Sequence, residues 1–174
     1  PKDAILSGLP WDWEDYKGYL DSIDKFDLGI NVMGLVGHTA VRYYVMGERS
    51  VEEMASDEEI ALMAKIVGES MDGGAVGFST NRYPPHVGPD GRSIPGTFAE
   101  AKELLEIAKV VGEKKGMIQN VLDFGGDPDF SVKLLKDLAE GGTSVTNGAQ
   151  NLLLKALQMD PGALEDRMKT DAGM

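Results

Sequence analysis

From Ile30 onward, short, nearly continuous apolar runs alternate with longer stretches whose apolar positions recur every three or four residues. That alternation sets parallel strands beneath crossover helices. INVMGLVG, Ile30 to Gly37, is almost wholly apolar, as a strand covered on both faces requires, and a short helix is predicted around Val41 to Met46. Ser56 with Glu59 three residues on spells a capping box, opening a helix whose inner face carries Ile60, Met63, Ala64, Val67 and Met71, with Gly73 and Gly74 as its stop. AVGFS, Ala75 to Ser79, is the next predicted strand, and it opens into the proline-punctuated loop TNRYPPHVGPDGRSIPG. Thr97 with Glu100 predicts a second capping box, for a helix with Ala101, Leu104, Leu105, Ala108 and Val111 inward. MIQNVLDF, Met117 to Phe124, is a third strand. Asp127-Pro128 starts the helix bearing Leu134, Leu135 and Leu138, stopped at Gly141-Gly142, and TSVTN, Thr143 to Asn147, is a fourth strand. Trp11, Trp13, Tyr16, Tyr19 and Leu20 belong to a leading helical region over 1–29, and two helical stretches split by Pro161 occupy 148–174.

Strand starts near 30, 75, 117 and 143 make four βα units, whereas a closed (β/α)8 barrel needs eight and typically about 250 residues. The expected fold is therefore a partial (β/α)8 TIM barrel. A small open doubly wound sheet is the alternative, since it needs only four or five strands. The chain opens at Pro1 without an initiator methionine and stops at Met174, consistent with a piece of something longer. Four units leave sheet edges and apolar faces uncovered, which predicts self-association into a homo-oligomer.

Composition narrows the function classes. A formal charge of -12 repels phosphate backbones and anionic lipid heads, so neither nucleic acid nor a membrane surface is expected as a partner. No apolar run approaches the roughly 18 residues of a membrane span and no signal-peptide pattern opens the chain, so a cytoplasmic protein is expected. The absence of cysteine removes disulfides, thiolate metal clusters and a cysteine nucleophile. With only two histidines, and no H-x-H or H-E-x-x-H, no metal centre is expected in this segment alone.

Both candidate architectures bind ligands at the carboxyl ends of parallel strands. His38, Thr39 and Arg42 follow the first run, Ser79, Thr80, Asn81, Arg82 and then His86 the second, Gln119, Asn120 and Asp123 the third, Thr146 and Asn147 the fourth. The candidate substrate-binding residues are His38, Arg42, Ser79, Thr80, Arg82 and His86. Either histidine is a candidate proton carrier near neutral pH, the bland alternative being a bond from His38 to a neighbouring loop and a solvated His86. Arg42 or Arg82 suits a bidentate carboxylate clamp, against an ordinary ion pair. GFSTN lacks the second glycine of a nucleophile elbow, so serine hydrolase chemistry is excluded.

The succession WDWEDYKGYLDSID, INVMGLVGHTAVRYYVMG, SDEEIALMAKIVGESMDGGAVGFSTNRYPPH and DGRSIPGTFAEAKELLEIAK resembles the middle of N-acyl-D-amino-acid deacylases (D-aminoacylases) of the amidohydrolase superfamily, from about Trp11 to Thr146. Its most specific parts are V-G-H-x-x-x-R and G-A-V-G-F-S-T, which carry over His38, Arg42, Ser79 and Thr80. The resemblance implies a TIM-barrel hydrolase of the C–N amide bond of N-acyl amino acids. It also implies zinc or another divalent metal in the full-length parent, lowering the pKa of a bound water and polarising the carbonyl. Two metal histidines that the resemblance implies, near the ends of the third and fourth strands, are replaced here by Gln119-Asn120 and Thr146-Asn147. The segment by itself is expected to be inactive. The alternative function is a catalytically silent α/β domain that holds a small carboxylic acid.

Overall fold

The computed structural model describes residues 7–8, 10–123, 127–140 and 144–147; the predicted helices of 148–174 and the Gly141-Gly142 stop lie outside them. The elements are α1 (Tyr16–Ile23), β1 (Val36–Gly37), α2 (His38–Met46), a 3-10 turn (Gly47–Ser50), α3 (Asp57–Asp72), β2 (Gly77–Asn81), α4 (Ala101–Glu113), β3 (Met117–Val121), α5 (Pro128–Glu140) and β4 (Ser144–Asn147). The four strands are all parallel and lie in the order β1-β2-β3-β4. Such an order contains no reversal, so the described strands hold no topological switch point of the kind a doubly wound sheet requires.

Local chemistry explains the best-placed boundaries. Ser56 Oγ accepts from Glu59 N at 3.3 Å while Glu59 Oε2 accepts from Ser56 N at 2.8 Å, the reciprocal box that starts α3. Ile60, Met63, Ala64 and Val67 then face inward and meet Leu104, Ile107, Ala108 and Val111 of α4, and Phe78 and Ile118 of the sheet complete the core with Leu134 and Leu138 of α5. Phe78 is fully buried; its truncation to Ala is expected to cost about 3–5 kcal/mol. Gly77 is dictated by close approach, since a Cβ there would lie 1.9 Å from Met117 O.

Three expectations are corrected. The first strand is Val36–Gly37, not Ile30 to Gly37, and Ile30 and Met33 are each 76% exposed. Pairing Val36 with Phe78, continued backward, sets Ile30 opposite Asp72, which is still in α3. No strand is available there, so only the contact from Val76 N to Gly34 O, 3.0 Å, extends the ladder. Thr97 and Glu100 form no capping box: Thr97 Oγ1 donates to Ile94 O at 2.9 Å, the chain turns again at Gly96, and α4 starts after Glu100 with no side-chain cap. The helix that bears Tyr16, Tyr19 and Leu20 starts at Tyr16, capped by Asp15 Oδ1 on Gly18 N at 2.7 Å, so Trp11 and Trp13 precede it as a stacked pair 5.4 Å apart.

The two faces of the sheet differ. Phe78, Thr80, Ile118 and Asn120 point into the helix layer and are buried. Alternation turns Gly77, Ser79 and Asn81 of β2, and Met117, Gln119 and Val121 of β3, to the open face. This face is mixed: Met117 and Val121 are apolar, whereas Ser79, Asn81 and Gln119 are polar. A run of exposed apolar residues, Phe26, Leu28, Ile30, Val32 and Met33, lies in the approach to β1. No described helix is long and apolar enough to cross a membrane.

Candidate functional site

α2 begins directly at the end of β1, so His38 and Arg42, one helical turn apart, project from the same face. Both point into the helix layer. His38 Nε2 lies 2.6 Å from Glu103 Oε1, and Arg42 Nε donates to the same oxygen at 2.9 Å. On the other side of the ring, Nδ1 is 2.9 Å from Thr80 Oγ1. His38 and Arg42 are each 2% exposed and Glu103 1%.

Burial pushes His38 below its usual pKa, and the nearby Arg42 and Arg82 charges act the same way, against the raising effect of Glu103. The neutral imidazole therefore donates from Nε2 to the carboxylate and accepts the Thr80 hydroxyl proton at Nδ1. Burial acts to raise Glu103, but the hydrogen bonds and charges of His38 and Arg42 outweigh it and hold the carboxyl below its usual value. The remaining Arg42 nitrogens donate to Ser50 O and, at 2.8 Å, to Glu53 O. Each guanidinium nitrogen is thus already engaged, so Arg42 is a buried tie and not a free carboxylate clamp.

The long loop after β2 is fastened over this network. Thr39 Oγ1 donates to Pro95 O at 3.0 Å, and Arg82 Nη1 donates to Ala99 O at 2.6 Å. Gly96, at φ +94, packs so closely on the imidazole that a Cβ would lie 2.5 Å from His38 Nδ1. Arg82 itself leaves the strand end: its N donates to Val121 O at 2.7 Å and its guanidinium carbon sits 5.6 Å from the Phe130 ring centroid on α5. Burial lowers its pKa, opposed by the charges of Asp123 and Glu103. Asn81 Nδ2 and His86 Nδ1 are 2.8 Å apart on the loop surface.

The sequence-predicted residues therefore separate into two groups. His38, Arg42 and Thr80 join in the helix layer, whereas Ser79 lies on the open face and Arg82 and His86 in the loop. Sequence reasoning missed Glu103, although its signal was present: it is in phase with Ile107 and Val111 on the buried stripe of α4, where a lone carboxylate requires partners. A cleft of ≈ 310 Å³ lined by Arg42, Val51, Met54, Arg92 and Phe98 among others borders the network, but no strand-end residue lines it. Among the described residues no group of three His, Asp or Glu side chains can hold a metal.

No family model matches the chain. D-aminoacylase from Alcaligenes xylosoxydans xylosoxydans is 29% identical over 117 residues, covering 67% of this chain and 22% of that protein. N-acyl-D-aspartate deacylase from the same organism is 27% identical over 120 residues, 68% of this chain and 22% of its own length. About 70% of the chain is thus matched by proteins named D-aminoacylase and N-acyl-D-aspartate deacylase. It spans about a fifth of the length of these curated relatives. Solved structures agree at the level of fold. N-acyl-D-glutamate deacylase from Bordetella bronchiseptica, complexed with zinc and a phosphonate inhibitor, superposes with a TM-score of 0.64 at 22% identity, over 90% of this chain and 32% of its own. A D-aminoacylase mutant in complex with copper chloride gives 0.63 at 19% identity, over 76% of this chain and 26% of its own.

Proposed function

We propose that the chain is a four-unit section of a (β/α)8-barrel amidohydrolase that cleaves the C–N amide bond of N-acyl amino acids. The observation that carries this reading is the unreversed run of four parallel strands in a homologue of D-aminoacylases. A barrel requires that order, because each crossover must place the next strand on the same side of the last. In this reading the ligand end is the carboxyl end of β1 to β4. The divalent metal is held by residues of the parent outside this chain, because the strand ends described here do not supply a ligand set.

The chain's own residues then bind and position. Ser79 and Gln119 line the site from β2 and β3. Arg82, fixed by Ala99 O and Phe130, is the remaining candidate for the substrate carboxylate. His38, Glu103 and Arg42 do not touch substrate; they hold Thr80, and with it the end of β2, at a fixed height against α2 and α4.

The test is expression of the parent reading frame and assay of N-acyl-D- and N-acyl-L-amino acids for release of the free amino acid. Hydrolysis of either series supports the proposal. A folded, metal-loaded parent that binds such acids without cleaving them would instead mark a silent binding domain.

A further inference from the structure

Core elements and one loop meet at the His38 imidazole. Glu103 of α4 and Thr80 of β2 bond its two nitrogens, Arg42 of α2 shares the Glu103 oxygen, and the Phe78 ring of β2 lies 5.3 Å away between centroids. The loop contact comes from Gly96, which covers the Nδ1–Cε1 edge so closely that a Cβ would stand 2.5 Å from Nδ1 and 2.8 Å from Cε1. Residues 95–99 form a thin cover there: Gly96, Thr97 and Ala99 are buried, whereas Phe98 between them is 55% exposed. Thr39 Oγ1 on Pro95 O and Arg82 Nη1 on Ala99 O tie the cover down at its two ends. Thr97 N and Ala99 N bond within the loop, to Ile94 O and Gly96 O, both at 3.2 Å. A loop held this way opens locally at lower free energy than the helices and strands around it.

A proton added to this ring goes to Nδ1, because Nε2 already donates to Glu103. The Thr80 hydroxyl then loses its acceptor, and the imidazolium is left without water. Glu103 is a single carboxylate shared with Arg42, and Arg82, which also feels the charge of Asp123, adds a second cation. Burial and these two cations hold the closed ring below its ordinary 6.5, against Glu103. Lifting Gly96 uncovers the Nδ1 edge without parting a strand or a helix.

We propose that residues 95–99 are an acid-released strap, closed over His38 while the imidazole is neutral and lifted when Nδ1 takes up a proton, so that acid opens the carboxyl end of β2 to water. The outer part of the loop stays fastened meanwhile. Arg92 bonds Asp90 at 2.7 Å and Glu48 at 3.3 Å. Hydrogen bonds from Tyr43 and Arg92 hold Glu48, and those from Arg92 hold Asp90, below their usual carboxylate values. The closed strap binds fewer protons than the open one, so opening grows as pH falls below 6.5 toward the closed-form value, by at most about tenfold per pH unit. The proposal stands apart from the hydrolase reading, since every contact it uses lies within this chain.

The test is native-state hydrogen exchange on the whole 174-residue chain, followed by ¹H–¹⁵N NMR between about pH 7.5 and 5.5, with and without sub-denaturing urea. The Thr97 and Ala99 amides are expected to be less protected than those of Val67 and Ile107 at each pH. Their protection should fall with pH by up to about tenfold per unit and should not respond to the urea, because lifting a strap exposes little surface. His38→Gln should remove the pH dependence, whereas His86→Gln, at the other imidazole of the loop, should keep it. Gly96→Ala should hold the strap open, leaving the loop amides unprotected at neutral pH and the His38 ring titrating near 6.5, above wild type.

Exchange of Thr97 and Ala99 at the rate of the core, with the urea dependence of the core, would mean that His38 is protonated only by global unfolding, and it overturns the proposal. A pH dependence that survives His38→Gln or vanishes in His86→Gln overturns it too, as does an imidazole that titrates alike in wild type and Gly96→Ala. If His38→Gln or Gly96→Ala does not fold, the wild-type exchange pattern and His86→Gln decide.

Discussion

His38 and Glu103 lie 65 positions apart in the chain and 2.6 Å apart in the fold, Nε2 to Oε1, with both side chains almost wholly buried. Because Arg42 donates to the same carboxylate, one acid satisfies two buried groups of α2 at once. The pair therefore fixes the angle between α2 and α4, and through Thr80 it fixes the end of β2.

Removing one partner from a buried ion pair leaves an uncompensated charge, which typically costs about 3–5 kcal/mol. Glu103→Leu is expected to destabilise by that amount, because Arg42 stays buried. Adding Arg42→Met should recover a large part of the loss, since the second charge then goes too. Urea unfolding of the two single variants and the double variant gives the coupling; strict additivity would mean that the two side chains act independently.

Acid should weaken the fold in two stages. His38 is held below its ordinary 6.5, so the unfolded chain takes up this proton first, and stability is lost as pH falls below 6.5 toward the folded value. Glu103 is held below 4.5, so its contribution is likewise present above 4.5 and lost below it. Both slopes have the same sign. The urea midpoint should fall between pH 6.5 and 4.5 in wild type, and His38→Gln should flatten that first stage.

Asn120 is fully buried, and among the described residues neither Nδ2 nor Oδ1 has a hydrogen-bond partner. An unpaired buried amide carries a desolvation cost of about 1–3 kcal/mol that an apolar group of similar shape avoids. Asn120→Leu is therefore expected to leave the urea midpoint unchanged or raise it. A loss exceeding about 1 kcal/mol would show instead that the amide is satisfied.

Arg82 is the guanidinium left for a substrate carboxylate. In the parent enzyme, Arg82→Met should raise KM for acyl amino acids far more than for the corresponding amides, because only the acids present the charge. Equal effects on both substrates would exclude the clamp and leave Arg82 as a tie between its loop and α5.

Self-association, expected of a chain with uncovered apolar surface, is predicted to involve the exposed apolar side chains before β1. Ile30→Glu with Met33→Glu should shift sedimentation toward the monomer, because it places charge in the strip that hydrophobic contact would cover. Gln119→Glu, on the open face of the sheet, should have no such effect. If the double variant sediments as wild type does, that strip is not the contact.

The sequence alone determined the elements whose causes are local. The Ser56 and Glu59 box, the inward spacing of Ile60 through Val67, and the β-branched runs near 77, 117 and 144 each follow from interactions within a few residues. Tertiary structure decided what depends on a distant partner. INVMGL has the composition of a strand but is largely unpaired, because its register partner is still helix at Asp72. Thr97 has the sequence of a cap, yet the turn at Ile94 takes its hydroxyl. His38 and Arg42 follow a strand as ligand-binding residues do, but α2 begins at His38 and rotates both into the helix layer, where a carboxylate 65 residues away from His38 meets them. Periodicity carries no information about which acid will arrive there, since a buried charge is fixed by the three-dimensional approach of its partner and not by its neighbours in the chain.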